Sequence, residues 1–437
     1  MTEPSERGPL PVFGTIGAAA VIVGIVVGTG IFRLPTIVAQ NSSSAIEYVL
    51  YWVAGGIVSL LGALCYAELA TNHPDAGGEY HFLRQGFGDF VGFLFTWGRM
   101  TVIQTGSITL AAFILGDYAS EIFSLGSYSS SLYAGGTVVV LTGVNLAGTR
   151  TSKTLQNLVT GSIVLILVVT GILGIAYGGS AGDVTSTAEG HGSVGTAMIF
   201  VLLTYGGWNE GVYLSAELSN VRKEMTRALL LGLLVITVVY VLVNAAYLKV
   251  LGLEGLRTTD TIGVELTERI FGTGSSKLMA LFVVIAALST INASILTGAR
   301  TNYALGRDFD LFAFLGEWDA PRNTPGNALL FQGAIALALV GLGTITQEAV
   351  ATMVDYTAPV FWFFIFLTTT SLFVFRWRGT VDSAYRVPLY PVTPILFLLA
   401  SGYLLYSSMM FTGTGSLVGI GILILGVPLY YVSERWW

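Results

Sequence analysis

Apolar residues fall in long blocks along this chain, separated by short polar, turn-rich connections. A block of about 20 apolar residues crosses a bilayer as a helix. On that rule the chain predicts about twelve spans: residues 13–38, 46–71, 90–117, 132–148, 155–178, 194–218, 227–251, 277–304, 327–346, 349–375, 390–410 and 414–432. Two blocks are interrupted. The first contains Gly24–Phe32, in which Gly28 and Gly30 flank Thr29, and the sixth carries Gly206 and Gly207 near its middle. Glycine in a helix interior is worse than alanine by about 1 kcal/mol, so each pair weakens its helix. A break frees backbone groups at bilayer depth, which is tolerable only where they line a cavity or are covered by protein. The freed N–H groups of the second half attract an anion, and the carbonyls ending the first half attract a cation. An amino acid offers both charges. Close helix packing explains a Gly24-x-x-x-Gly28 pair equally well, but a second interruption five spans later favours a site. An odd number of spans per unit inverts the second unit relative to the first. The expected organisation is a tail (1–12), a first repeat (13–178), a second repeat (194–375), and two appended spans with a short tail (390–437).

Composition agrees. Of 437 residues 53% are hydrophobic and 11% charged, against about 25% charged in soluble domains, so the chain is an integral membrane protein. Its net charge of −6 argues against nucleic acid as a partner; the lipid bilayer is the expected one. The single cysteine, Cys65, forms no internal disulfide and reads as a buried thiol. His73 and His81 lie in the Gly-rich stretch Asn72–Asp89, expected to be a solvated loop with no further ligands spaced for a metal. No cofactor is expected. Alternate connections hold most of the basic residues of the connections: Arg84; Arg150 and Lys153; Arg222, Lys223 and Arg227; Arg300, Arg307 and Arg322; Arg376, Arg378 and Arg386; the exception on the opposite side is 249–277, with Lys249, Arg257, Arg269 and Lys277. Arg7 and Arg435 fall on the side of that majority. Both termini are therefore expected in the cytoplasm of a multi-pass protein of the cell inner (plasma) membrane. The connection 252–276 is expected outside, with a short amphipathic helix at Asp260–Phe271.

The motifs carry a specific resemblance. Gly24–Phe32 resembles the glycine-rich first-helix motif of the amino acid–polyamine–organocation superfamily. Leu64-Cys-Tyr-Ala-Glu-Leu-Ala70, Pro74 and Gly77-Gly-Glu-Tyr80 resemble the second span and following loop of its L-type amino-acid transporter branch, and Tyr205-Gly-Gly-Trp-Asn209 resembles that branch's sixth span. Asn292–Arg300 and Tyr385–Val392 are also similar, so the motifs run in order over nearly the whole chain. The resemblance implies an all-α, LeuT-like five-plus-five inverted repeat with broken helices 1 and 6, transporting amino acids by alternating access. Carried over by position, the N–H groups of Thr29 and Gly30, with Gly28, would hold the substrate carboxylate, and the carbonyls of Val26, Leu203 and Gly206 the ammonium. Thr204, Asn209 and Gln104 complete the expected binding set. Leu203, Tyr205 and Trp208 are the expected gate, with Leu203 standing where the family usually has an aromatic residue.

Ile163 falls where many members carry a lysine whose ammonium occupies a cation site. Ser289 and Thr290 offer hydroxyls suited to a hard cation beside the Val26 carbonyl, which makes sodium the candidate coupling ion; an uncoupled exchanger or a proton-coupled permease is the alternative. Arg99, in the third span, is an ion-coupling candidate too, because a charge at bilayer depth is functional by default. It could instead read an acidic substrate, or pair with Glu68, Glu210 or Glu217. Gln104, Thr105 and Ser107 could line the side-chain pocket. A channel would want repeated polar rings and an enzyme convergent catalytic groups at depth; neither pattern is present, so a receptor or channel is the rival class and an enzyme is not expected.

Overall fold

The computed structural model describes residues 14–75, 77–148, 153–177, 192–218, 220–319, 321–322, 324–380, 385–410 and 414–434. The tail 1–12, Arg7, Arg150 and Arg435 lie outside them. The described residues are helical, with no strand beyond one isolated bridge between Asp319 and Thr324. The helices in chain order are α1 (Thr15–Val26), α2 (Leu34–Gln40), α3 (Ala45–Asn72), α4 (Glu79–Phe87), α5 (Asp89–Gly98), α6 (Gln104–Ile122), α7 (Ser129–Leu146) and α8 (Lys153–Tyr177). They continue as α9 (Val194–Thr204), α10 (Val221–Thr258), α11 (Ile262–Phe271), α12 (Ser276–Asp308), α13 (Gly326–Thr346), α14 (Ala349–Trp377), α15 (Val392–Met410) and α16 (Thr414–Glu434). Each of the twelve apolar blocks is a helix or a broken pair of helices.

Local chemistry sets the ends. Ser44 caps α3 by accepting from the Glu47 N–H at 3.2 Å, while the Glu47 carboxylate accepts from the Ser43 N–H at 2.6 Å, a reciprocal cap. The division between the ninth and tenth spans falls at Gln347, which takes a left-handed conformation (φ 60°). The connection 252–276 holds α11, where the amphipathic helix is expected. The stretch 72–89 departs from expectation: it is not a plain loop but carries α4, which packs on α5 and α14. The third span is one long helix with a π turn at Arg99–Ile103, a widening common at functional sites.

The core is a bundle in which α10 lies along α3, α8 and α1, α12 along α6, and α14 between α15 and α16. Trp52, Tyr48, Tyr205 and Tyr240 form a fully buried aromatic cluster inside it. Large apolar side chains such as Ile16, Leu278, Leu399 and Leu417 point outward, more than half exposed, as helices facing lipid require. Glu68, buried on α3, is held by a two-pronged pair with Arg376 of α14 (2.7 and 2.6 Å) and by the Val387 N–H (2.5 Å), so it fastens helices.

Candidate functional site

The first span stops being a helix at Val26. Val27 adopts φ −76°, ψ 81°, and the Gly28 N–H donates back to the Val26 carbonyl at 2.8 Å, an inverse γ-turn. A 3-10 turn at Thr29–Phe32 follows, then α2. The sixth span ends α9 at Thr204 and resumes as a 3-10 segment at Trp208–Glu217. Gly207 between them sits at φ 104°, where side chains are strained, and a Cβ there would lie 3.0 Å from Ile25 Cγ2 and 3.3 Å from the Ile25 carbonyl oxygen. The two breaks therefore abut each other. The hydroxyl of Tyr240, buried on α10, reaches the carbonyls of both Val26 (3.0 Å) and Thr204 (3.2 Å), the last residues of the two interrupted half-helices.

These breaks border a cavity of about 580 Å³. Its wall includes Val26, Gly28, Thr29, Gly30, Gln104, Leu203, Thr204, Gly206 and Asn209, together with Ser289, Thr290, Ile163 and Arg99, so it gathers residues from five of the predicted spans. Ser107 joins them, whereas Thr105 is fully buried elsewhere. Of the expected gate only Leu203 reaches the cavity. Tyr205 and Trp208 are buried in helix packing here, Tyr205 donating to the Trp52 carbonyl at 2.9 Å and Trp208 lying against Tyr66 and Phe397. Tyr205 follows the last turn of α9 and Trp208 the Gly207 reversal, which turn both rings away from the opening.

The polar residues are already organised. Gln104 donates to the Ser294 carbonyl at 2.9 Å. The Val26 carbonyl accepts from the Gly28 N–H and shares the single Tyr240 hydroxyl proton with the Thr204 carbonyl. Arg99 is buried, and its Nη2 donates to both carboxylate oxygens of Glu210 (2.8 and 2.9 Å), with Tyr213 Oη at 3.4 Å. Glu210 is thus the partner among those considered; Glu68 is engaged by Arg376, and the Glu217 side chain lies outside the described residues.

A second carboxylate, Glu79 at the start of α4, was given no role in the sequence reading although its Gly-Gly-Glu-Tyr motif stands out. It lines the same cavity while only 3% exposed. Its oxygens accept from Tyr66 Oη at 2.8 Å and Asn209 Nδ2 at 3.4 Å, and Arg99 Nη1 lies 3.9 Å away. Glu79 lies between the second and third spans, outside the spanning helices. Burial pushes its carboxyl up to about 7, with Arg99 pulling it down and the Glu210 charge adding to the rise.

On the far side of the breaks from Arg99 a second set of polar contacts ties the helices together. Arg33 pairs with Asp117 (3.5 Å) and Asp260 (2.8 Å), and Tyr118 donates to the Phe32 carbonyl at 2.8 Å while accepting from the Gly263 N–H at 3.1 Å. Among the described residues no group of three or more His, Cys, Asp or Glu side chains could hold a metal ion. His81 pairs with Asp75 and His73 stacks on Phe375.

Comparison with known proteins gives the same direction. The profile of the family described as amino acid permease matches residues 13–431. The chain is 30% identical over 403 residues to the mouse b(0,+)-type amino acid transporter 1, covering 90% of this chain and 81% of that protein. It is 28% identical over 441 residues to its human counterpart, covering 98% and 89%. Against the rabbit large neutral amino acids transporter small subunit 2 it is 27% identical over 436 residues, covering 97% and 80%. A membrane bundle with its first and sixth helices broken around one cavity is the architecture such transporters require, and the chain belongs to the amino acid permease family, in the L-type branch of the amino acid–polyamine–organocation superfamily.

Proposed function

We propose that the protein carries neutral α-amino acids across the membrane by alternating access. The single observation behind this reading is the pair of abutting breaks bordering one cavity. The first N–H groups of the Thr29–Phe32 turn, those of Thr29 and Gly30, have no acceptor within their own turn and suit a carboxylate. The carbonyl of Gly206, just past the end of α9, suits an ammonium, with that of Leu203, which also accepts from the Gly206 N–H at 3.0 Å, beside it. Leu110, Ile114, Ile163, Ile199, Leu203 and Val354 supply an apolar end for the substrate side chain. Arg99 is not left to read an acidic side chain, because Glu210 already pairs with it at 2.8 Å. The relatives' names, with their large neutral amino acids, point the same way.

The Val26 carbonyl, the backbone ligand of the sodium reading, is already occupied by the Gly28 N–H and by its share of the Tyr240 proton. We therefore infer sodium-independent transport. The five-plus-five arrangement of 13–178 and 194–375, and cytoplasmic termini in the inner (plasma) membrane, complete the proposal; the clustering of basic residues on alternate connections supports that orientation. A thermal-shift screen of the purified protein against the twenty amino acids, followed by counterflow of labelled L-leucine in proteoliposomes with sodium or choline, tests it. Stabilisation and counterflow in both salts are expected. Flat melting curves and no counterflow would remove the transport reading, and counterflow in sodium alone would restore the ion.

A further inference from the structure

Thr290, Ala293 and Thr297 of α12 line the cavity and mark the face of that helix turned to the opening. Thr290 is level with the first break, since a Cβ on Gly28 would lie 3.9 Å from its Cγ2. Seven residues advance an α-helix by two turns, slipping only about 20°. The line through Ala293 therefore continues to Arg300 and Arg307, and the line through Thr297 to Ala304. All three of these residues are exposed. Arg300 stands about 4.5 Å along the helix axis from Thr297 and about 15 Å from Thr290, and Arg307 lies about 10 Å further on. This end of α12 is on the Arg99 side of the breaks. Asp308 accepts from Tyr80 of α4 at 3.0 Å, and α4 begins at Glu79, which faces Arg99.

Arg300 and Arg307 make no hydrogen bond or ion pair with another described residue. Arg300 nevertheless falls inside the span 277–304, where a charge belongs to a bundle interior or a water-filled passage. The other charges on this side are engaged. Glu79 and Glu210 share the Arg99 guanidinium, Asp89 holds Arg84, and Asp308 has Tyr80. Among the described residues lining the cavity Arg99 is the only base. A carboxylate leaving the breaks on this side thus meets two acids and no open cation before Arg300.

We propose that Arg300 is a second station for the α-carboxylate of the substrate, in the passage between the cavity and the aqueous surface on the Arg99 side. Its planar fork of donors fits a carboxylate in two-pronged fashion. An amino acid released from the N–H groups of Thr29 and Gly30 loses the partners of its carboxylate, and Arg300 replaces them past the two acids. In the opposite direction Arg307 and Arg300 draw carboxylates into the passage and raise their concentration below the breaks. The station acts from one face of the membrane only, because α12 carries these arginines at one end.

The inference rests on the transport reading and deepens it, and the test separates the two. Cells expressing the full chain and inverted vesicles made from them present opposite faces, and an impermeant maleimide on Ala304→Cys identifies the Arg300 face. Initial rates of labelled L-leucine exchange give KM and maximal rate from each face. Arg300→Gln should raise KM from the Arg300 face about fivefold, with the maximal rate and the KM from the other face unchanged. Arg300→Lys keeps the charge without the fork and should recover part of the loss; Arg307→Gln should raise the same KM by less. Raising ionic strength about tenfold with choline chloride screens exposed charges and should raise the wild-type KM from the Arg300 face alone. This salt series needs no variant, so it decides the matter even if Arg300→Gln does not express. A wild-type KM that ignores salt on that face overturns the inference and leaves the transport reading intact. So does an Arg300→Gln protein whose KM rises equally from both faces, or whose maximal rate falls with KM unchanged. An unchanged KM with loss of stabilisation by anionic lipid also overturns it, and gives Arg300 to the headgroups. Absence of leucine exchange from either face of the wild type sinks both readings.

Discussion

Replacing Tyr240 with phenylalanine isolates what holds the two breaks in register. The ring remains, and with it the edge contacts to Trp52 (6.2 Å) and Tyr205 (5.1 Å); only the hydroxyl is deleted. That hydroxyl spans the carbonyls of Val26 and Thr204. Val26 keeps its Gly28 N–H at 2.8 Å, so the loss falls mainly on Thr204. A buried acceptor left unpaired costs about 1–3 kcal/mol. If the broken geometry is the form that binds, this penalty falls on the binding-competent state, and apparent affinity drops in proportion to its population. The expected result is an L-leucine dissociation constant raised about 5- to 150-fold, measured by scintillation proximity on purified protein, with the sodium and choline values equal. Unchanged binding would refute the clamp. Tighter binding would refute it more directly, by showing that the substrate ammonium prefers carbonyls that Tyr240 otherwise occupies.

Gly207→Ala places a side chain at φ 104° against Ile25, strain worth about 1–3 kcal/mol; leucine binding should weaken at least fivefold, while Gly136→Ala, at a site with open space, should stay within twofold, and equal behaviour of the two would contradict the reading. Arg376→Ala strands the buried Glu68 carboxylate, and breaking a buried pair costs about 3–5 kcal/mol; a clear fall in melting temperature in detergent is expected, and an unaltered melt would show that Glu68 is not a fastener. Arg33→Ala removes the pairs to Asp117 and Asp260. A cysteine introduced at Ile199, in the cavity wall, should then react severalfold faster with an impermeant maleimide added from the Arg33 side; native Cys65 is fully buried and gives no background. No acceleration would mean that these pairs do not keep that side closed.

The apolar blocks alone specified twelve helices, because hydrocarbon leaves a backbone no alternative partner for its polar groups. Paired glycines likewise marked both breaks, since a helix is weakest where side chains contribute least and a φ of 104° admits little else. Three features came only with the tertiary structure. Tyr240 reads in the sequence as one more apolar-block residue, and nothing local announces that its hydroxyl meets two helix ends more than 30 residues away on either path. Glu79 lies in a stretch expected to be a loop; its burial against Arg99, Tyr66 and Asn209 exists only because the chain brings these from three separate elements. Tyr205 and Trp208 carried a strong motif, yet which way a ring faces depends on where the backbone reverses. One-dimensional pattern fixes which segments must be helical and where they give way, because those are local energies. Who faces whom across the bundle is a packing outcome, and it decides where charge is buried and which polar groups stay unpaired.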